Sequence, residues 1–155
     1  MTSGHVETEL VLDANVFVAG LVRPSELSDQ PPIRLQEEHT RALPYILTLE
    51  SLTLRAHVPR LCVVEICAVV RRRVRQNPLG RAIVVKQILM GWQSRGQLVL
   101  YDHVASTTEQ AIEAALKYAS SGADSLFIAL AEQLGLPLKT FYGDILRKYP
   151  NASNP

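Results

Sequence analysis

Residues 9–22 read ELVLDANVFVAGLV. Leu10, Val11 and Leu12 make a short apolar run of strand length, closed by Asp13, and VFVAGLV after it can begin a helix. A strand that ends in an acid and passes straight into a helix is a building unit of parallel sheets. The pattern returns along the chain. RAHV (55–58) reads as a brief strand, QLVLYD (97–102) as a clear one ending in Asp102, and LKTFY (138–142) as the last. STTE (106–109) has the form of a capping box, with Ser106 as N-cap and Glu109 reaching back, and predicts a helix through Tyr118. SSGADSLFIALAEQLGLP (120–137) is an amphipathic helix closed by Gly135 and Pro137. Strands alternating with helices indicate an α/β fold with a mostly parallel sheet.

Between the first two strands, RPSELSDQPP (23–32) is a loop by composition, and Pro31-Pro32 introduces the amphipathic stretch IRLQEEHTRAL. Pro44 is expected to break that helix, leaving YILTLESLTL (45–54) as a second one. Its apolar residues Tyr45, Ile46, Leu47, Leu49, Leu52 and Leu54 occupy two faces, only one of which can pack on the domain's own sheet. PRLCVVEICAVVRRRVRQNP (59–78) predicts a helix with Pro59 at its first position and Asn77-Pro78 beyond its end. Residues 79–95 give a further helix that stops near Gly96. Residues 1–150 form a single domain, and NASNP (151–155) reads as a frayed, disordered tail.

The chain of 155 residues is long enough to bury a core, and 47% hydrophobic with 20% charged residues describes a folded protein. A formal charge of +1 neither demands nor excludes nucleic acid. Cys62 and Cys67 lie five apart on one predicted helix, a spacing that suits neither a disulfide framework nor a zinc site, so a reducing cytoplasm is expected. The opening MTSGHVETEL lacks the pattern of a signal peptide, and no apolar run approaches the ~18 residues of a membrane span. No membrane partner is expected.

Glu65 poses the sharpest local question. It sits among apolar residues, and its neighbours one helical turn away, Leu61, Cys62, Ala68 and Val69, carry no charge. Either it points to water beside an apolar stripe, or another segment brings it a partner. Asp13 and Asp102 end strands, Asp144 follows the last strand, and Asp124 lies in the first turn of its helix. Parallel strands finish on one side of the sheet, where ligands of open α/β folds bind. Singly, these acids are explained by turns and by the helix dipole. Together at one edge they repel, and a divalent cation with oxygen ligands, Mg2+ or Mn2+, is the simplest neutraliser.

LVLDANVF, VPRLCVVEI, GADSLFIALAEQLGLPLKT and the late Asp144 together resemble the successive motifs of the PIN domain, over residues 10 to 146. That family includes ribonuclease toxins of toxin–antitoxin pairs, of the VapC type. The resemblance implies a three-layer α/β/α sandwich around the sheet. It implies a catalytic and metal-binding set of Asp13, Glu65, Asp124 and Asp144, with Asp13 and Asp124 closest to one or two Mg2+ or Mn2+ ions, Glu65 assisting and Asp144 acting through water. Asn15 would orient Asp13 or a metal-bound water; as a residue type it serves equally as a helix N-cap. The implied activity is endoribonucleolytic hydrolysis of RNA leaving 5′-phosphate ends, and the implied partners are an antitoxin protein and a second copy of the chain. Two features depart from the family pattern: Tyr142 stands where a Ser or Thr usually precedes the fourth acid by two residues, and residues 23–32 make a long first loop. Asp102 falls outside the four-acid pattern and is read as structural.

Arg72 lies within about 20° of Glu65 around a helix turning ~100° per residue, so Arg72 and its neighbour Arg71 are candidates for binding a phosphate backbone. The alternative for the run Arg71, Arg72, Arg73 and Arg75 is a solvated face. Trp92 and Tyr142 are either base-stacking or core aromatics. A haloacid-dehalogenase-like phosphatase would need a second acid at Asn15 and another at Lys148, so that class is excluded twice. A PIN-like module that holds RNA or protein without cutting is the remaining alternative.

Overall fold

The computed structural model describes residues 8–103 and 105–155. Five strands form the central sheet: β1 (Glu9–Leu12), β2 (Arg55–Pro59), β3 (Leu98–Tyr101), β4 (Leu138–Lys139) and β5 (Ala152–Ser153). All are parallel, in the order β3-β2-β1-β4-β5, so β1 lies at the centre. The register pairs Leu10 with Ala56, Ala56 with Leu98, and Leu12 with Lys139. Leu10, Val11 and Leu12 are all buried, as expected of a strand covered on both faces.

Helices α1 (Ala14–Leu21), α4 (Leu61–Arg73) and α5 (Pro78–Ser94) pack in succession, and α7 (Gly122–Leu134), backed by α6 (Ala105–Tyr118), lies against β1, β2 and β4. The result is the expected three-layer α/β/α sandwich. Short α2 (Pro24–Leu27) and long α3 (Ile33–Glu50) complete the first layer, and α8 (Gly143–Lys148) follows β4. Trp92 is fully buried beside Phe17, with its indole N–H donating to Glu50 at 2.7 Å, so it is a core residue.

Several local expectations are corrected. Pro44 does not break the chain into two helices: α3 runs through it. Ala42, Ile46 and Leu49 are buried on either side of Pro44, while Pro44 itself is exposed. The proline therefore removes a hydrogen bond on the solvent side, and packing against α1 holds the rest. The approach is close enough that a Cβ on Gly20 would stand 2.3 Å from Ile46 Cγ1. Pro59 closes β2 instead of opening a helix, because Pro59 pairs with Tyr101 and Arg60 N–H still donates to Tyr101 O, so α4 begins at Leu61.

Residues 151–155 are not a frayed tail either. Leu138 N–H donates to Asn151 O and Thr140 N–H to Ser153 O, which pairs the outer edge of the short strand β4. Ser106 lies inside α6 instead of capping it; residue 104, next to that helix's start, lies outside the described residues. Gly135 closes α7 with a left-handed φ of 64°, as expected of a glycine C-cap. Cys62 and Cys67 are free. Among the described residues, no helix is long and apolar enough to cross a membrane.

Candidate active site

Asp13 follows β1 directly and is the N-cap residue of α1. Its backbone continues the sheet, N–H donating to Lys139 O at 3.0 Å, and this holds it beside the end of β4. The side chain makes no cap bond; it accepts a 2.7 Å hydrogen bond from the Thr140 hydroxyl. Thr140 is fully buried, and its oxygen also accepts from Tyr142 N–H at 2.9 Å and from the Asn15 side-chain amide at 3.3 Å. Asn15 Oδ1 accepts from Phe141 N–H. Asn15 thus neither caps α1 nor bonds Asp13 directly. It holds the Thr140 hydroxyl and the Phe141 backbone N–H, and Thr140 carries that order to Asp13. The sequence reading missed Thr140, although the register of Leu12 against Lys139 sets the next residues of both strands side by side.

Glu65 lies one turn into α4 and Asp124 in the first turn of α7, whose N-cap Ser121 accepts from Asp124 N–H. Both carboxylates face, with Asp13, a cavity of about 550 Å³. Burial raises the Asp13 carboxyl to about 6; the Thr140 bond opposes this, and the charges of Asp124 and Glu65 reinforce it. Glu65 is raised by burial and then by Asp124. Asp124 is raised by burial, with Asp144 adding to the effect and Ser121 and Lys148 opposing it. The buried Cys62 thiol is pushed well up by burial and by the charges of Asp13 and Glu65, so it stays neutral beside them.

As placed, no three acids, histidines or cysteines among the described residues stand close enough together to chelate an ion. The three carboxylates nevertheless share one cavity and one another's repulsion. Their donors are hard oxygens, and such a set fits Mg2+ or Mn2+ better than a soft metal.

Asp144 lies near enough to raise the Asp124 carboxyl but does not line the cavity. It lies in the first turn of α8, and its oxygens accept from Arg147 at 2.9 Å and Lys148 at 2.7 Å, which hold its carboxyl below the usual range. Arg72 lines the cavity, as does Arg73, which the sequence reading did not single out; Arg71 does not. Arg75 is engaged elsewhere, paired with Asp29. Tyr142 is exposed at the cavity rim. Asp102 pairs with Arg60 outside the cavity. From the acids the cavity continues as an apolar groove lined by Val18, Val22, Leu27, Leu35, Val64 and Val69.

The PIN domain family model matches residues 10–151, nearly the whole chain. The chain belongs to the PIN domain family. Solved structures share this PIN fold at low sequence identity. VapC20 of Mycobacterium tuberculosis, a Sarcin-Ricin loop cleaving toxin, superposes with a TM-score of 0.63 at 16% identity, over 89% of this chain and 93% of that one. A toxin–antitoxin complex from Klebsiella pneumoniae gives 0.58 at 14% identity, over 94% and 97%. VapBC2 from Rickettsia felis, bound to a DNA fragment from its promoter, gives 0.56 at 15% identity, over 94% and 98%. No curated protein matches the sequence significantly.

Proposed function

We propose that this PIN domain is a metal-dependent endoribonuclease that hydrolyses RNA phosphodiester bonds and serves as the toxin of a toxin–antitoxin pair. The observation that carries the reading is the buried Asp13 carboxyl, raised to about 6 in a cavity it shares with Glu65 and Asp124. Carboxylates that repel in this way hold a divalent cation at lower cost than they hold one another. Asp13 and Asp124 would be the principal ligands of Mg2+ or Mn2+, with Glu65 completing the set. When bound, such an ion supplies an acidified water and neutralises charge on the phosphoryl oxygens.

The chain's own residues do the rest. Thr140 and Asn15 fix the Asp13 carboxylate, so that little reorganisation is needed as charge develops. Arg72 and Arg73 at the rim offer guanidinium groups to the RNA backbone, and Tyr142 offers an exposed ring to a base. That similar folds occur in a toxin cleaving the Sarcin-Ricin loop and in toxin–antitoxin complexes supports an RNA substrate and an antitoxin partner. The apolar groove beside the acids suits a partner segment. The exposed Leu47, in the last turn of α3, and Leu52, just beyond it, suit a homodimer. A reducing cytoplasm suits the two free thiols.

Incubation of the purified chain with structured RNA, with and without Mn2+, tests the reading. Mn2+-dependent cleavage leaving 5′-phosphate ends, lost in Asp13→Asn, is the expected result. RNA binding without cleavage in any divalent ion would instead identify a non-cleaving binding module.

A further inference from the structure

Within α8, Asp144 and Lys148 form a pair that the three-carboxylate site does not explain. Both oxygens of Asp144 are engaged, Oδ1 by Arg147 and Oδ2 by Lys148. The Lys148 ammonium also donates to the carbonyl of Ala119 at 2.7 Å. Ala119 carries a left-handed φ of 49°, uncommon for a residue with a Cβ, and it lies two residues before Ser121, the N-cap of the helix that bears Asp124. Lys148 is therefore a strut between α8 and the segment that aims Asp124.

An exposed carboxylate–lysine pair four residues apart contributes little by itself, because the lysine is free to swing into water. Here a third contact to the backbone fixes the ammonium, and the Lys148 side chain is only 32% exposed. To ligate a metal, either oxygen of Asp144 would have to share its electron density with, or give up, a charge-assisted hydrogen bond, to Arg147 on Oδ1 or to Lys148 on Oδ2. A second ion placed beside it would also meet the ammonium at short range.

We infer that Lys148 is a built-in cation that withdraws Asp144 from the metal-ligand set, leaving a site for a single divalent ion held by Asp13, Glu65 and Asp124. The inference rests on the metal reading given under Proposed function. It makes Lys148 a positioning residue: it acts through Asp144 and through the Ala119 carbonyl, not on substrate.

Calorimetric titration of the full chain with Mn2+, with free Mn2+ counted by electron paramagnetic resonance, tests this. The wild type should bind one ion per chain, and Lys148→Met should acquire a second. Lys148→Arg should restore a single ion, and adding Asp144→Asn to Lys148→Met should remove the second. Two ions on the wild type, or identical stoichiometry and affinity for wild type and Lys148→Met, would overturn the inference while leaving the metal site standing. No binding to the wild type at all would overturn the metal reading and this inference with it. Should Lys148→Met fail to fold, Asp144→Asn alone decides: Mn2+ affinity within about twofold of wild type is expected, and a loss of about tenfold or more would make Asp144 a ligand after all.

Discussion

Asp13 concentrates the tension in this fold. Its carboxyl is raised from 3.8 to about 6, first by burial, because α1 and the sheet enclose it. The folded chain therefore holds this proton more tightly than the unfolded chain does. The associated stability is fully present below about pH 4 and is lost as pH rises through about 6, on the order of 3 kcal/mol by linkage. Urea unfolding of the metal-free wild type should accordingly weaken across that window, whereas Asp13→Asn should show a clearly smaller decline, the part left by the raised Glu65 and Asp124; parallel curves for the two would contradict it. Holding a cation requires the ionised carboxylate, so Mn2+-dependent cleavage should climb as pH rises through about 6. Thr140 is the other decisive residue. Thr140→Val keeps the shape but removes the donor to Asp13 and the acceptor for Tyr142 N–H. The expected cost is about 1–3 kcal/mol in denaturant melts, because buried groups lose their partners. Asp102→Asn, at an exposed pair with Arg60, should leave cleavage near the wild-type rate in the same assay.

Among the elements, α3 shows how tertiary packing overrides a local breaker. Read alone, Pro44 divides IRLQEEHTRAL from YILTLESLTL. In the fold, Ala42, Ile46 and Leu49 form one buried stripe against α1, and the stripe is worth more than one missing hydrogen bond. Pro44→Ala restores an N–H at a solvent-facing position and should raise the melting temperature, by an amount on the order of 1–3 kcal/mol in stability. The apolar residues of this segment also divide in a way the sequence does not display. Leu49 is fully buried, while Leu47 is 58% and Leu52 55% exposed. Leu49→Glu should therefore unfold the domain by burying an unpaired charge. Leu47→Glu should keep the fold, and in light scattering should shift the proposed dimer towards a single chain. A wild type that scatters as one chain at micromolar concentration would remove the dimer from the account.

At the scale of the molecule, what was legible in the sequence follows from what sequence pattern encodes. The apolar run Leu10–Leu12 closed by Asp13, the strand before Asp102 and the helix closed by Gly135 are local signals, and each lies where it was expected. Parallel pairing then sets Asp13 beside the end of β4, so much of the acidic edge could be read in advance. Thr140 escaped notice because a hydroxyl in LKTFY acquires meaning only from the register of β4 on β1. The strand β5 escaped because NASNP has no strand character of its own; it is ordered by the unpaired edge of β4. Asp144 was legible as an acid but not as one already paired, since nothing in YGDILRK alone says that Lys148 is anchored to Ala119. The central claim is that Asp13, Glu65 and Asp124 repel one another until a divalent cation joins them. Thermal unfolding at pH 7.5 across a Mn2+ titration tests it most directly, since a ligand that binds only the folded state raises its melting temperature by mass action. The account predicts a concentration-dependent rise for the wild type, and for Asp124→Asn a metal-free protein at least as stable that no longer responds. A wild-type melting temperature unchanged into the millimolar range, or a rise of equal size in Asp124→Asn, would contradict it.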